Sequence, residues 1–309
     1  MSVSAIVPNR ANTPCSANDH RTQWHWRVAP NGQHVAIAWC YSIEALGIRV
    51  SITMLTKAIV RPPAPNFAEG QTTAGLGAPN YHRAFDQHAA YCAALEQCGL
   101  TLTTLEPDPD YPDATFVEDT AVLTERCAVL ARPGAPSRLG EVSSIKNQLA
   151  DFYPSLISIH APGTLDGGDV CEAGEHLFIG ISERTNEAGA RQLAECLAQF
   201  AYAATFVDVR GVKRILHLKS GLSFLGNERV AVIEALADRA EFQSYQVMRV
   251  PAGEEYAANC VLINDHVLVP AGYPTFAGKL KELGYQTIAL DMSEFQKMDG
   301  GLGCLSLRF

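Results

Sequence analysis

Four stretches of this chain share one plan, and that repetition limits the folds open to it. They are "EDTAVLTERCAVLARPG" at 118–134, "GDVCEAGEHLFIGIS" at 168–182, "SGLSFLGNERVAVI" at 220–233 and "ANCVLINDHVLVPAG" at 258–272. Each holds two short β-prone runs split by a polar turn (TER, EAGEH, GNE or ND), the signal of a hairpin. At least three are followed by apolar residues at three- and four-residue spacing, the helical period: "GEVSSIKNQLADF", "NEAGARQLAECLAQF" and "TFAGKLKELG". Asn186 stands where it can cap the second of these helices. A further short strand follows each one: "LISIHAP", "ATFVDV" and "QTIALD". The unit is therefore strand–strand–helix–strand (ββαβ), with hairpins starting at 118, 168, 220 and 258, a spacing of roughly 40–50 residues.

A strand over 55–61, a helix over 79–98 and the strand "TLTTLEP" make an earlier unit, for five in all. Repeats of this length build a solenoid or a radial array. Closing the array removes the exposed strand edges that favour aggregation. The last residues, "CLSLRF", are placed to pair beside the first strand and close a ring, with Leu305 to Phe309 as the closing strand. An ordinary open α/β sheet is the alternative.

Residues 1–53 do not share this pattern. All three tryptophans (Trp24, Trp26 and Trp39) lie there, and the first lysine is Lys57. The expectation is an N-terminal extension, either poorly ordered or translated from a misplaced start upstream of Met54, with a small accessory element as the alternative. Residues 54–309 are expected to form a single domain.

At 309 residues the chain can bury a large core, and 47% hydrophobic with 18% charged residues is the composition of a globular protein. A net charge of −9 argues against a nucleic-acid partner, which calls for a basic face, and suits a small cationic ligand. Nine scattered cysteines without a CxxC pair read as reduced thiols in a cytoplasmic protein, and they lack the spacing of a structural zinc site. There is no apolar run of 18 residues for a membrane span and no pattern of a signal peptide.

Reactive residue types collect where the strands end. "PDATFVEDT" holds Asp113, Glu118 and Asp119; "HAPGTLDGGDV" holds Asp166 and Asp169; "RILHLKSGLS" holds His217; "DGGLGC" holds Cys304. In a radial array such ends converge on one axis. A cysteine acts as nucleophile when a base and an open approach are at hand. Histidine moves protons near neutral pH, and a carboxylate fixes its orientation. Several acids nearby suit a cationic substrate held by multi-point hydrogen bonds. Each feature alone is weak, since lone cysteines and histidines are more often structural.

Together, "FVEDTAVL", "APGTLDGGDV", "SERTNEAGARQL", "LHLKSGLSFL", "AANCVLIND", "PAGYP" and "DGGLGCLSLRF" resemble the dimethylarginine dimethylaminohydrolase family of the guanidine-modifying superfamily, from about Met54 to Phe309. The resemblance implies a five-bladed pseudo-symmetric α/β propeller that hydrolyses dimethylarginine or monomethylarginine to citrulline and a methylamine, without metal or organic cofactor. It implies Cys304 as nucleophile, His217 as acid and base, and Asp166 as the carboxylate that orients His217. It further implies Asp119 as the holder of the substrate guanidinium with Glu118 in support, Asp113 as the contact to the α-amino group, and Phe116 against the substrate stem. Arg138 and Arg184 fall on the clamp for the α-carboxylate, a role that suits arginine's two-pronged geometry. The segment 67–77 aligns with a mobile lid on which Gln71 stands where the family commonly has leucine, in contact with the substrate through its backbone. An arginine or agmatine deiminase, an amidinotransferase and a non-catalytic ligand-binding ring are the alternatives; arginine deiminases carry a helical insertion for which this chain has no room. The oligomeric state is open, a homodimer included.

Overall fold

The computed structural model of the chain describes residues 54–309 and, as backbone, two strands in the extension, β1 (Gln23–Val28) and β2 (His34–Trp39), paired antiparallel. The sequence alone does not signal that pairing. The expectation for the rest of 1–53 lies outside the described residues.

In residues 54–309 the strands fall into five three-stranded sheets. The first begins with β3 (Lys57–Val60), continues through helix α1 (Tyr81–Gln97) and returns as β4 (Thr101–Thr104), parallel to β3. The second comprises the hairpin β5 (Ala121–Leu123) and β6 (Ala128–Leu130), helix α2 (Val142–Leu149) and β7 (Leu156–Ser158). The third has β8 (Val170–Ala173), β9 (His176–Ile181), helix α3 (Glu187–Gln199) and β10 (Ala203–Asp208). The fourth has β11 (Leu222–Phe224), β12 (Arg229–Val232) and β13 (Gln246–Arg249). The fifth has β14 (Val261–Ile263), β15 (His266–Pro270), helix α4 (Pro274–Glu282) and β16 (Gln286–Leu290), followed by the short helix α5 (Ser293–Gln296).

The last strand, β17 (Ser306–Arg308), pairs antiparallel with β3, Leu307 opposite Ile59, and so completes the first sheet from the far end of the chain. Phe309 O accepts the amides of Thr56 and Lys57 and extends the seam. In sheet neighbourhood β17 lies against β5, β8 against β11, and β11 against β14. These relations make a five-bladed α/β propeller in which each blade is an antiparallel pair plus one parallel strand, the pair being a hairpin in all but the first blade. The fourth blade departs from the expected ββαβ unit: a single 3₁₀ turn, Ala240–Phe242, spans the connection between β12 and β13. Its segment "EALADRAEFQ" offers too short a stretch of helical period to bury a face.

Local chemistry explains the rest. Asn80 and Asn186 cap α1 and α3 by accepting the amides of Arg83 at 2.9 Å and Gly189 at 2.8 Å, groups that otherwise lack an intrahelical partner. The α3 face that carries Ala190, Leu193 and Leu197 is fully buried in one cluster with Leu177 and Ile179 of β9. Truncating one of those leucines to alanine costs about 2–5 kcal/mol in such a setting. The hairpin turn between β14 and β15 places Asn264 at φ 51°, a conformation asparagine tolerates better than most residues.

Candidate active site

In every blade a 3₁₀ turn leads into the first strand: Val117–Thr120, Gly167–Asp169, Leu218–Ser220, Glu255–Ala258 and Gly303–Leu305. The turns neighbour one another around the axis. Glu118 and Asp119 lie within the first of these turns and Cys304 within the last, while Asp166 and His217 stand one residue ahead of theirs. Residues spread over almost two hundred positions therefore meet because equivalent points of successive repeats face one axis.

Gln71, Asp113, Phe116, Asp119, Arg138, Arg184, His217 and Cys304 line a single cavity, joined by Leu216, Met298, Asp299 and Gly300. It holds about 30 Å³, room for a water or two and less than an arginine derivative fills. Asp166 stands behind this lining, fully buried, with Oδ2 3.0 Å from His217 Nε2. Its Oδ1 accepts the Gly134 amide at 2.8 Å, which fixes the carboxylate and through it the imidazole. Glu118 also lies off the cavity: its Oε1 accepts Lys219 Nζ at 2.8 Å and Arg308 Nη2 at 3.0 Å.

Asp119 is held on both oxygens. Oδ1 accepts the Gly168 amide at 2.9 Å and Oδ2 faces Arg138 Nη1 at 2.6 Å. Gly168 must be glycine for this contact: a Cβ there would sit 2.8 Å from Asp119 Oδ1 and from His217 Nδ1. Gly300 likewise makes room for Phe116, whose ring would meet an added Cβ at 2.2 Å. Phe116 packs against Phe67 and Phe295, with ring centroids 5.9 and 6.2 Å away.

Arg138, expected at the substrate carboxylate, instead spends most of its donors on the protein. It bonds Glu141 through Nε and Nη2, Asp119 through Nη1 and the carbonyl of Phe116 through Nη2. Arg184 donates Nη2 to Gln71 Oε1 at 2.9 Å, and Gln71 Nε2 donates to Ser137 Oγ at 2.9 Å. The Gln71 amide nitrogen donates to the Asp113 carboxylate at 3.1 and 3.2 Å. In this state Gln71 thus spans the mouth of the cavity from both its backbone and its side chain.

The electrostatics set a resting protonation pattern. Burial raises the Cys304 thiol, the charges of Glu118 and Asp119 raise it further, and it is pushed up to about 12. Burial alone would lower His217, but Asp119, Asp169 and Asp166 outweigh it and hold the imidazole at about 9. Burial raises Asp119, yet His217 and Arg138 bring it down to about 2. Near neutral pH the site holds a neutral thiol beside an imidazolium and an ionised Asp119. Donor atoms of Asp119, Asp166 and His217 lie within 4.8 Å of one another, a spacing a metal ion could use.

Sequence reasoning missed Asn259, Lys219, Arg308 and Asp299. Asn259 follows the fourth of these turns, Glu255–Ala258; its Oδ1 accepts the Gly303 amide at 2.9 Å and its Nδ2 donates to Lys219 O at 3.1 Å. Its place one residue past the turn in the repeat was the available signal.

Fold and site together define a propeller with a cysteine, a histidine and carboxylates at its axis. The arginine deiminase family model matches residues 109–259. The chain is 42% identical over 257 residues to N(G),N(G)-dimethylarginine dimethylaminohydrolase of Pseudomonas aeruginosa, covering 83% of this chain and 100% of the relative. It is 35% identical to the protein of the same name from Streptomyces coelicolor, covering 82% of this chain and 96% of that one. A solved structure of the Pseudomonas aeruginosa protein, a cysteine-to-serine variant complexed with citrulline, superposes with a TM-score of 0.81 at 41% identity, covering 83% of this chain and all of the other. The chain belongs to the dimethylarginine dimethylaminohydrolase family.

Proposed function

We propose that this protein hydrolyses N-methylated arginine, dimethylarginine or monomethylarginine, to citrulline and the corresponding methylamine, with Cys304, His217 and Asp166 as the catalytic residues. One observation carries the reading: a cysteine, an imidazolium braced by a buried carboxylate and an ionised aspartate share a cavity whose mouth is spanned by Gln71. Relatives that are dimethylarginine dimethylaminohydrolases along the length of residues 54–309 support it.

In this reading Asp119 takes the substrate guanidinium, Asp113 the α-amino group and Arg184 the α-carboxylate, with Arg138 beside it; Phe116 covers the stem and Glu118 supports Asp119 from behind. The incoming cation offsets the acids that keep Cys304 protonated, and the thiol releases its proton to solvent as the substrate seats. Sγ attacks the guanidinium carbon. His217 donates its proton to the departing amine, and the C–N bond breaks to leave an S-alkylthiouronium on Cys304. The neutral imidazole then takes a proton from water, the resulting hydroxide adds to the same carbon, and the C–S bond breaks to release citrulline. Asp166 holds the ring in place for both transfers. Residues 54–309 act as one catalytic domain, with 1–53 dispensable for turnover.

Rapid acid quench during turnover, followed by intact-mass analysis, tests the covalent step. An adduct that maps to Cys304 and disappears in Cys304→Ser supports the reading. Citrulline formation that survives Cys304→Ser overturns it. The arginine deiminase match favours a second reading, in which unmethylated arginine is the preferred substrate of the same site.

A further inference from the structure

Glu118 presents a problem for the chemistry just described, because it is an acid, 3% exposed, packed against the turn that carries the nucleophile. A Cβ on Gly303 would meet its two carboxylate oxygens at 3.2 and 3.3 Å. Its Oε2 has no hydrogen-bond partner among the described residues. An uncompensated carboxylate here would oppose formation of the Cys304 thiolate.

Two cations from different blades converge on its other oxygen. Lys219 Nζ comes from the turn that follows His217, at 2.8 Å, and Arg308 Nη2 comes from the closing strand, at 3.0 Å. Arg308 also reaches the nucleophile turn directly: Nη1 donates to Gly303 O at 3.1 Å and to Ser306 Oγ at 2.8 Å. Lys219 is tied to the same turn through Asn259, which joins Lys219 O to the Gly303 amide. We propose that Lys219 and Arg308 are positioning residues for the nucleophile: they neutralise Glu118 and hold the Gly303–Leu305 turn at the propeller axis. This rests on the reading of Cys304 as the nucleophile.

The groups that act on Cys304 are Glu118 and Asp119 from the second blade, Lys219 from the fourth, Tyr256 from the fifth and the backbone of Gly301; His217 shares the cavity lining with Asp166 behind it, and Arg308 bears on the thiol through Glu118. Of these, Lys219 lowers the thiol while Glu118 and Asp119 raise it. Removing Lys219 therefore leaves the thiol harder to ionise, and removing Arg308 does so through Glu118, whose charge it leaves less compensated.

The test is the rate of iodoacetamide alkylation at Cys304, followed by peptide mass at a fixed pH near 8 in ligand-free protein. It is run on wild type, Lys219→Met, Arg308→Met and Arg308→Lys. Each upward unit in the thiol pKa removes about tenfold of the thiolate at such a pH. The two methionine variants are expected to alkylate at least fivefold more slowly, and Arg308→Lys to recover most of the rate. A purely structural role gives the opposite sign, because a loosened turn exposes the thiol and speeds alkylation. Unchanged or faster alkylation in both methionine variants would overturn the proposal. Lys219→Met leaves the closing strand intact and reports even where Arg308→Met fails to fold. Wild-type turnover of methylated arginine, measured in parallel, keeps the outcomes separate: its absence speaks against the proposed reaction, whereas its presence with unaltered alkylation speaks against these two roles alone.

Discussion

Arg138 Nη1 lies 2.6 Å from Asp119 Oδ2, so the carboxylate proposed for the substrate guanidinium already faces a guanidinium of the protein. Glu141 balances the same arginine on its other edge at 2.8 Å. Burial works against the charge on Arg138, but Glu141 and Asp119 outweigh it and hold its pKa well above the usual value. Arg138→Met strands two buried carboxylates, and breaking a buried pair in this way costs about 3–5 kcal/mol. Urea denaturation is expected to show that loss. Arg138→Lys retains the charge but not the fork, so it should recover part of the stability and still show a raised KM. Wild-type stability in Arg138→Met would mean that the triad does not hold the site together.

Contacts at Gln71, Thr72 and Thr73 hold the loop over the cavity. Besides the Gln71–Asp113 contact, Asp299 Oδ2 accepts the Thr73 amide at 2.5 Å and the Thr73 hydroxyl at 3.1 Å. Asp299 sits at φ 57°, which asparagine also tolerates, so Asp299→Asn keeps the backbone and weakens only the latch. The loss of about 1 kcal/mol corresponds to roughly a fivefold rise in KM. Limited proteolysis should also cut within 70–77 faster than in wild type. An unchanged KM with unchanged proteolysis would separate Asp299 from loop closure.

Stability should fall with rising pH because of His217. Its folded value, about 9, lies above the ordinary 6.5. The contribution is therefore complete below about pH 6.5 and is lost as the pH rises through 9. The shift corresponds to roughly 3 kcal/mol. Denaturation at pH 6, 7.5 and 9 measures the slope, and His217→Asn should flatten it. A wild-type profile that is flat across this window would show that the folded protein does not hold the imidazolium.

Much of the fold was readable because each blade repeats a local pattern. Asn186 and its cap, the polar turns of the hairpins and the terminal strand at Ser306–Arg308 all follow from short-range chemistry. The fourth blade carries no sustained helical period in its sequence, and its connection between β12 and β13 forms turns, including a 3₁₀ turn, in place of the helix that the general ββαβ unit implied. The site was legible only in part. Repetition placed His217, Asp166 and Cys304 at or beside the turns that lead into successive blades, but the resemblance to a family, not spacing, singled out the cysteine. The meeting of Glu118 with Lys219 and Arg308 joins three blades, separated by 101 and 190 positions by their residue numbers. No local pattern encodes a contact of that range. Nor could sequence show that Arg138 would face Asp119 in the closed state.

The most direct measurement of the central claim is kcat/KM for citrulline formation from dimethylarginine, monomethylarginine and arginine side by side, with wild type and Cys304→Ser. The account predicts higher kcat/KM for the methylated substrates and no turnover by Cys304→Ser. A higher kcat/KM for arginine than for either methylated form, or citrulline from Cys304→Ser, would contradict it.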